Sequence, residues 1–515
     1  MNFRDEMKRT LGDEFNYGVT ENGALGYRTT QSALLDLNFQ VSSLRNLSEP
    51  EIARRFMSAF YEDKIHAMKW LFYLRDVRGG LGERRSFRII LLHLASSHPE
   101  IVAKLIPIVA EYGRWDDILQ MADSDLGLDK VVVDSVVRVV TKQIAEDQEH
   151  VLKNQSCSLL AKWMPNASSQ NYQKRRAGQF WAKQFFPAIH DDNARERSYR
   201  KMLSKIRHHL DVVECKMVAQ QWDQINYESV PSKANLRYRN AFLRHDEERR
   251  TAFLDAANKG EVKMNSSTAF PHDIAHQYGA ERSLRPIDPA LEAMWKNLPD
   301  TINGEDDNVL VVRDGSGSMT WEKLGNTQTT PLEVATALAI YFSERIKGQF
   351  KNTFITFSAM PELIDLSGLS SLHDKLAKTY NEDDCSDTNI EAVFNLILRT
   401  AVRAHMSQEE MPSTVLILSD MEFDASCHNF SQRLFQSIES EYNRAGYKLP
   451  RLVFWNLCSR TGTIPVKENE MGVALISGFS TNLAKMVMSN QTDPYKVLLE
   501  TLDSPRYALV EEILS

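Results

Sequence analysis

The sequence has few cysteines and no long apolar run, and both features restrict the class of protein. Five cysteines are scattered over 515 residues, too few for a disulfide framework, and no Cys-x-x-Cys pair occurs. No segment reaches the roughly 20 apolar residues that a membrane helix requires, and the first residues lack the apolar core of a signal peptide. We therefore expect a soluble protein of the reducing cytoplasm that does not contact a membrane.

Several catalytic motifs are also missing. The chain has no Gly-x-x-x-x-Gly-Lys-[Ser/Thr] phosphate loop and no His-Glu-x-x-His zinc motif. Gly315-Ser316-Gly317 has only a superficial likeness to a hydrolase nucleophile elbow, because that elbow requires Gly-x-Ser-x-Gly and a histidine base. His428 is the nearest candidate base, and we interpret it as a surface or helix-start residue. We find no case for an enzyme.

The overall composition is that of a globular protein, but its charge is unevenly distributed. Hydrophobic residues make up 43% and charged residues 25% of the chain, which excludes a disordered or collagen-like protein. Residues 1–300 contain 43 Lys and Arg against 40 Asp and Glu, whereas residues 301–515 contain 18 against 29. The net charge of −8 is therefore the sum of +3 and −11.

Residues 171–210 are strongly basic, with 10 basic and 3 acidic residues, and aromatic residues are interleaved with the cations. Cations neutralise nucleic-acid phosphates, and rings stack on unpaired bases with roughly 1–3 kcal/mol each. An alternative is a solvated helix face whose rings, Trp181, Phe185 and Phe186, belong to the core. The candidate RNA-binding residues are Lys174, Arg175, Arg176, Lys183, Arg197, Arg200, Lys201, Lys205 and Arg207, together with Arg84 and Arg85 after a glycine turn.

The first part of the chain has a helical pattern. From about residue 51 to residue 254, apolar residues recur at intervals of three and four, and strand signals are rare. Residues 75–83 read as a helix end, a glycine turn and a new helix that begins near Glu83. Antiparallel helix pairs of this kind predict a HEAT-like α-solenoid, open or closing towards a ring, although no fixed-period repeat is visible. We place this domain at residues 1–296 and a polar linker at 297–307.

Strands alternate with helices after the linker. The pattern predicts a domain at 308–515 in which a mostly parallel sheet is covered on both faces, so that the fold class is α + α/β. Ligands of such sheets bind at the carboxyl ends of the strands. The predicted strands are 308–314, 353–357, 414–419, 451–456 and 473–476, and the predicted helices are 332–346, 390–402 and 430–442.

Oxygen donors lie at the ends of three of these elements. Asp314, Ser316 and Ser318 alternate in a glycine-loosened loop after the first strand, Thr388 begins a helix, and Asp420 ends a later strand. Oxygen ligands in a near-octahedral arrangement suit Mg²⁺ or Mn²⁺. The sequence therefore predicts a divalent metal site made of these five residues, or, in the blander alternative, a polar strand-to-helix turn.

This pattern resembles the von Willebrand factor A domain and its metal-ion-dependent adhesion site, D-x-S-x-S followed by a loop threonine and a loop aspartate. The resemblance implies a Rossmann-like domain in which Asp314, Ser316, Ser318, Thr388 and Asp420 hold the metal. It also implies that one metal position is left open for an acidic group of a protein partner. One departure is that Thr388 follows Ser386-Asp387 rather than the glycine pair common in that family.

The helical part has motifs of its own, notably residues 72–84, 112–117, 230–234 and 242–246. They resemble an uncharacterised family of plants, fungi, bacteria and phages that joins such a region to a C-terminal von Willebrand A domain. The domain order is similar to that of the Ro autoantigen, or TROVE, proteins, where single-stranded RNA ends enter a helical ring and structured RNAs bind outside. The resemblance implies an RNA-binding protein. The rivals are a metal-dependent protein-interaction adaptor and an assembly component, neither with an RNA role.

Overall fold

The protein is described by a computed structural model. It covers residues 16–21, 25–279, 284–302, 308–325, 327–357, 360–382, 390–422, 432–464, 473–488 and 493–515. Among these residues no helix is both long and apolar enough to cross a membrane.

Helices are the main elements of the described part of the first 300 residues, as the sequence predicts. A short antiparallel hairpin of β1 (Tyr17–Val19) and β2 (Leu25–Tyr27) precedes them. The helices span Ala33–Phe39, Glu49–Glu62, Lys64–Arg75, Arg85–Ser97, Pro99–Tyr112, Trp115–Leu119, Lys130–Leu152, Leu160–Trp163, Tyr172–Phe185, Asp192–His209, Val213–Val218, Ser232–His245, Glu247–Lys259, Pro271–Ala275 and Pro289–Lys296.

The predicted glycine turn is confirmed, and close backbone contact explains its composition. One helix ends at Arg75 and the next begins at Arg85. The Leu81 amide donates to the carbonyl of Tyr73 at 3.0 Å, which folds the turn back against the helix it leaves. A Cβ on Gly80 would lie 2.1 Å from that same carbonyl oxygen, so only glycine fits there.

The second part contains a six-stranded sheet with the order β5-β4-β3-β6-β7-β8. Only β5 runs antiparallel to its neighbour, so the predicted α/β class is confirmed. The sequence reading missed β5, which has three residues. The strands are β3 (Val309–Asp314), β4 (Thr353–Phe357), β5 (Leu363–Asp365), β6 (Thr414–Ser419), β7 (Arg451–Asn456) and β8 (Val473–Ser477).

Side chains alternate along these strands between two cores. Val309 and Val311 of β3 pack with the helix Pro331–Arg345 and with the helical part of the protein, whereas Leu310 and Val312 pack on the opposite face. The continuous apolar runs in the sequence reflect this burial on both faces. The helices of this part span Ser318–Trp321, Pro331–Arg345, Leu372–Asn381, Ile390–Ala404, Gln432–Arg444, Ala484–Met488, Pro494–Leu502 and Ala508–Leu514.

The two parts of the chain interlock at both ends. Tyr27 of the N-terminal hairpin exchanges two 2.8 Å backbone hydrogen bonds with Ile464 of the second part. At the other end of the chain, the last helix, Ala508–Leu514, belongs to the second part and packs onto the helix Lys64–Arg75 of the first part. The segment predicted as a linker begins with the buried side chains of Leu298 and Ile302, and residues 303–307 lie outside the described structure. One hydrophobic core therefore runs through both parts.

Candidate metal centre

The candidate site lies where the strand order of the sheet reverses. From β3 the chain proceeds outward to β4 and β5, and then returns to place β6 on the other side of β3. A crevice forms between such strands at their carboxyl ends, where ligands of open α/β sheets bind. Asp314 ends β3, and Asp420 directly follows β6. The topology thus brings together two of the predicted metal ligands, from loops that are separate in sequence.

The loop after β3 collects oxygen atoms around the Asp314 carboxylate. Asp314 is fully buried; its Oδ1 accepts a hydrogen bond from the Ser316 amide at 2.9 Å and its Oδ2 accepts one from the Ser419 hydroxyl at 2.5 Å. The Oγ atoms of Ser316 and Ser318 lie 2.9 Å apart. A carboxylate and two hydroxyls therefore converge in one turn, as the spacing predicts.

Asp420 is buried beside Asp314, and its charge is incompletely compensated. Burial and the neighbouring Asp314 carboxylate both raise the pKa of Asp420. Its Oδ1 accepts a hydrogen bond from the Glu422 amide at 3.1 Å, whereas no described residue donates one to the buried Oδ2. Burial also raises the pKa of Asp314. A cation bound between two carboxylates that disfavour each other's ionisation would relieve this repulsion.

Arg460 is a functional candidate that the sequence reading missed. Its Nη2 lies 3.4 Å from Asp420 Oδ2, and its Nη1 donates to the Ser318 carbonyl at 3.3 Å. The same guanidinium pairs with Glu21 in the turn of the N-terminal hairpin. The sequence position of Arg460 could have indicated its role, because the loop after β7 lies at the same edge of the sheet as Asp314 and Asp420.

Glu422 holds this arrangement in place and was also missed. It is buried, and its Oε1 accepts hydrogen bonds from the amides of Arg460 at 2.7 Å and Thr461 at 2.9 Å. The Glu21 amide donates to its Oε2 at 2.8 Å. The Glu422 carboxylate thus fastens both the loop after β7 and the N-terminal hairpin to the rim of the site.

The donor set present fits a hard divalent cation. It comprises two buried carboxylates and two hydroxyls, with one carboxylate oxygen that accepts no hydrogen bond. In the described part of the chain no group of three or more His, Cys, Asp or Glu side chains is placed to hold a metal. A metal site at Asp314 and Asp420 therefore needs the Ser316 and Ser318 hydroxyls as further ligands. Thr388, the fifth predicted ligand, lies outside the described residues, as does His428.

The aromatic residues of the basic stretch belong to the hydrophobic core. Trp181 and Tyr199 are buried, and the rings of Phe185 and Tyr199 stack with centroids 6.1 Å apart. Phe180 and Phe186 pack partly buried against the same core. These rings hold the helices Tyr172–Phe185 and Asp192–His209 together. The structure thus agrees with the alternative in which the rings of the basic stretch belong to the core.

Three of the candidate RNA-binding arginines are engaged by protein groups. Arg207 donates to the carbonyls of Ala161 and Met164, both at 2.8 Å. Arg176 pairs with Asp123 and Asp125. Arg85 donates to the carbonyls of Leu44, Arg45 and Leu47. These contacts join segments of the protein to one another, so the three arginines have a structural role.

The remaining candidates stay exposed. On the helix Asp192–His209, Arg197, Lys201 and Lys205 follow one another at intervals of four and lie on one face, with Arg200 beside them. None of these four has an ion-pair partner among the described residues. Lys174, Arg175 and Lys183 are exposed on the preceding helix, and Arg84 is exposed at the glycine turn.

Comparison with known proteins gives the family. The description "Domain of unknown function (DUF2828)" matches residues 20–122 and 117–305, and "Domain of unknown function (DUF7788)" matches residues 308–501. The chain belongs to the DUF2828 family. It is 30% identical to a protein of Acanthamoeba polyphaga mimivirus, named only as uncharacterized, over 526 residues that cover 95% of this chain and 87% of the viral protein. No solved structure matches.

The expectation of an uncharacterised family is thereby confirmed. The DUF2828 match contains the helical part, and the second match begins directly before β3 and contains the whole sheet with the Asp314 and Asp420 loops. The viral relative spans both parts, so the combination of the helical part and the sheet is shared by the two proteins.

Proposed function

We propose that this DUF2828 protein is a metal-dependent binding protein. Its second part is a von Willebrand A-like domain whose Asp314, Ser316, Ser318 and Asp420 hold Mg²⁺ or Mn²⁺, with Thr388 completing the set. The observation that carries the proposal is the pair of buried carboxylates at the switch point of the sheet. The metal would supply an electrophilic centre that binds a carboxylate of a partner protein.

The chain's own residues would prepare this site in three ways. Ser419 and the Ser316 amide orient the Asp314 carboxylate through their hydrogen bonds. The Glu422 carboxylate fixes the rim. Arg460, which contacts Asp420, neutralises part of the site's negative charge while no metal is bound.

Titration calorimetry with Mn²⁺ tests the metal site. We expect the wild-type protein to bind Mn²⁺ and the Ser316→Ala/Ser318→Ala variant to lose at least tenfold in affinity, because both hydroxyl ligands are gone. Thr320→Ala is the matched control, since the Thr320 hydroxyl donates to the Gly317 carbonyl at 2.7 Å in the same loop. Equal binding by all three proteins contradicts the site.

The acidic partner group has its own test. A glutamate-containing peptide should displace water from the bound Mn²⁺ and thereby lower the water proton relaxation rate of the complex. The same peptide with glutamine in place of glutamate serves as the control. Equal effects of the two peptides contradict carboxylate recognition.

We propose RNA binding as a second function, on the exposed face that carries Arg197, Lys201 and Lys205. In this proposal the helical part is an α-solenoid in the same domain order as the Ro proteins, and the RNA is a single-stranded end or a small structured RNA. The unpaired cations support it, because each phosphate neutralised releases counterions. With the rings in the core, affinity would rest on phosphate contacts and fall steeply with salt.

Fluorescence anisotropy with labelled single-stranded RNA tests this second proposal. We expect Arg197→Glu/Lys201→Glu/Lys205→Glu to weaken binding at least tenfold at about 50 mM salt and to lower the salt dependence. Lys104→Glu/Lys130→Glu changes two exposed lysines on other helices and is the control. Wild-type protein that binds neither single-stranded nor structured RNA at low salt contradicts the proposal and leaves the adaptor function.

A further inference from the structure

A cavity of about 710 Å³ lies between the helical part and the sheet part, beside the glycine turn. Its volume is in the range of sites for small ligands. Five of its lining residues are cationic: Arg75, Arg78, Arg84, Arg114 and Lys233. No Asp or Glu is among the described residues that line it. The cavity therefore has a positive wall, although the protein as a whole has a net charge of −8.

Most of this positive charge is not neutralised by carboxylates behind the wall. Arg75 pairs with Asp117 at 2.8 Å, and Lys233 pairs with Asp273. Within the described structure no carboxylate pairs with the guanidinium groups of Arg78, Arg84 and Arg114. The Arg78 guanidinium donates to the Glu111 carbonyl at 3.2 Å, and the Arg114 guanidinium lies 5.4 Å from the centroid of the Trp163 ring. Three cations are thus available to a ligand.

Arg75 is a buried cation in the wall of the cavity, and its hydrogen bonding is incomplete. Its side chain is only 2% exposed, and its buried Nη2 has no hydrogen-bond partner in the described part of the protein. A buried N–H group without an acceptor costs about 1–3 kcal/mol or more. Because Arg75 lines the cavity, its guanidinium adds to the positive potential that an anion bound there would meet.

The backbone around the cavity is also suited to an anion. The helix Arg85–Ser97 begins beside it, and no side chain caps its first amides. Helix N-termini attract phosphate through these amides and the helix dipole. Gly82 and Gly113 line the cavity, and a Cβ on Gly113 would lie 2.5 Å from Asp117 Oδ2, so the wall is built without side chains at these positions.

We propose that this cavity binds the phosphate of a nucleotide-sized ligand. Arg84 and Arg114 contact the phosphate oxygens, and the hydroxyl of Thr268, which also lines the cavity, donates a further hydrogen bond. The ligand is a free nucleotide or the 5′-phosphorylated terminal nucleotide of an RNA, since both present the same group. This site uses neither the metal ligands nor the exposed cations of the helix Asp192–His209. In its RNA form it rests on the proposed RNA binding, since Arg84 is also a candidate RNA-binding residue, whereas in its free-nucleotide form it is independent of that function.

Calorimetry of the full chain with ADP and with adenosine tests the proposal. We expect ADP to bind and adenosine to bind at least tenfold more weakly, because adenosine lacks the charged group. Absence of binding at about 5 mM ADP, or equal affinity for adenosine, overturns the proposal. Neither result bears on Mn²⁺ binding at Asp314.

Variants locate the binding in this cavity. Arg84→Gln/Arg114→Gln should weaken ADP binding about tenfold or more, and Ser267→Glu should do the same by adding a negative charge while every arginine is retained. Arg54→Gln, an exposed change elsewhere on the helical part, is the control. Unchanged ADP affinity in both cavity variants overturns the assignment. Thermal melting of each variant excludes loss of folding as the cause.

RNA decamers with a 5′-phosphate or a 5′-hydroxyl distinguish the two sources. A preference for the phosphorylated decamer that disappears in Arg84→Gln/Arg114→Gln supports the terminal nucleotide of an RNA. Equal affinity for the two decamers, together with ADP binding, supports a free nucleotide.

Discussion

Arg506 holds Asp76 with two hydrogen bonds, from Nε to Oδ2 at 2.6 Å and from Nη2 to Oδ1 at 3.0 Å. Asp76 is fully buried at the start of the glycine turn, and Arg506 lies two residues before the first residue of the last helix, Ala508. The Tyr507 hydroxyl also donates to Asp76 Oδ2, at 3.2 Å. This cluster joins residues that are 430 positions apart and fastens the C-terminal helices to the helical part.

Removal of Arg506 should destabilise the protein. We expect Arg506→Ala to lower the free energy of unfolding by about 2–3 kcal/mol, because Asp76 stays buried without its cation. The value is below that of a fully buried pair, since the Arg506 side chain is 32% exposed. Urea denaturation measures it. Arg54→Ala, which breaks an exposed pair with Glu51, should change stability by less than about 1 kcal/mol.

Gly80→Ala should be among the most damaging single methyl additions in this protein. The new Cβ would lie 2.1 Å from the Tyr73 carbonyl oxygen, so the turn must shift by more than an ångström. We expect a loss of about 3 kcal/mol or more in thermal or urea denaturation. Gly127→Ala is the comparison: its φ is +59° with no atom within 4 Å of the new Cβ, so only backbone strain of about 1–2 kcal/mol is expected.

Stability should fall in mild acid because of His272. This residue is buried between the rings of Phe270 and Phe479, which belong to different parts of the chain. Burial chiefly, with smaller contributions from Arg45 and Lys233, lowers the pKa of His272 from 6.5 to about 4 against the opposing effect of the acidic groups Asp273 and Glu333. The unfolded chain thus binds more protons between these two pH values. Stability is fully present above about pH 6.5 and is lost as the pH falls towards 4.

The variant His272→Phe isolates this contribution. Urea denaturation from pH 7.5 to pH 4.5 should show that the variant lacks the part of the acid-dependent loss due to His272, up to roughly 3 kcal/mol. The exposed His190→Gln serves as the control and should follow the wild-type curve. A His272→Phe curve parallel to that of the wild type contradicts the prediction.

Asp420→Asn should have opposite effects with and without metal. In EDTA at about pH 9, above the Asp420 pKa of about 8, we expect the variant to be more stable than the wild type by about 1 kcal/mol, because one of two buried neighbouring carboxylates loses its charge. With about 10 mM Mg²⁺ the wild type should gain stability by ligand binding and the variant should not. Thermal melting measures both. Asp365→Asn, at an exposed position of β5, is the control, and a variant that still responds to Mg²⁺ contradicts the metal assignment.

Local sequence patterns were sufficient to locate the regular helices and strands. The predicted strands 353–357, 414–419 and 451–456 agree with the structure at both ends, since apolar runs bounded by turn residues are a local property. β5 escaped notice because three residues carry no periodicity. The spacing of Asp314, Ser316 and Ser318 also predicted one converging loop. The role of Trp181 and Tyr199 was not readable, because a ring on a basic helix has the same sequence signature whether it faces solvent or a core.

The amino-acid sequence by itself determined the helical and α/β parts, the glycine turn and the order of the oxygen donors, because each depends on residues that are close together in the chain. Only the tertiary structure decided that Arg460 lies beside Asp420 and pairs with Glu21, and that Arg506 pairs with Asp76. The physical reason is that both termini cross onto the opposite part of the protein. Pairing across hundreds of residues is set by the packing of whole elements, which no local pattern encodes.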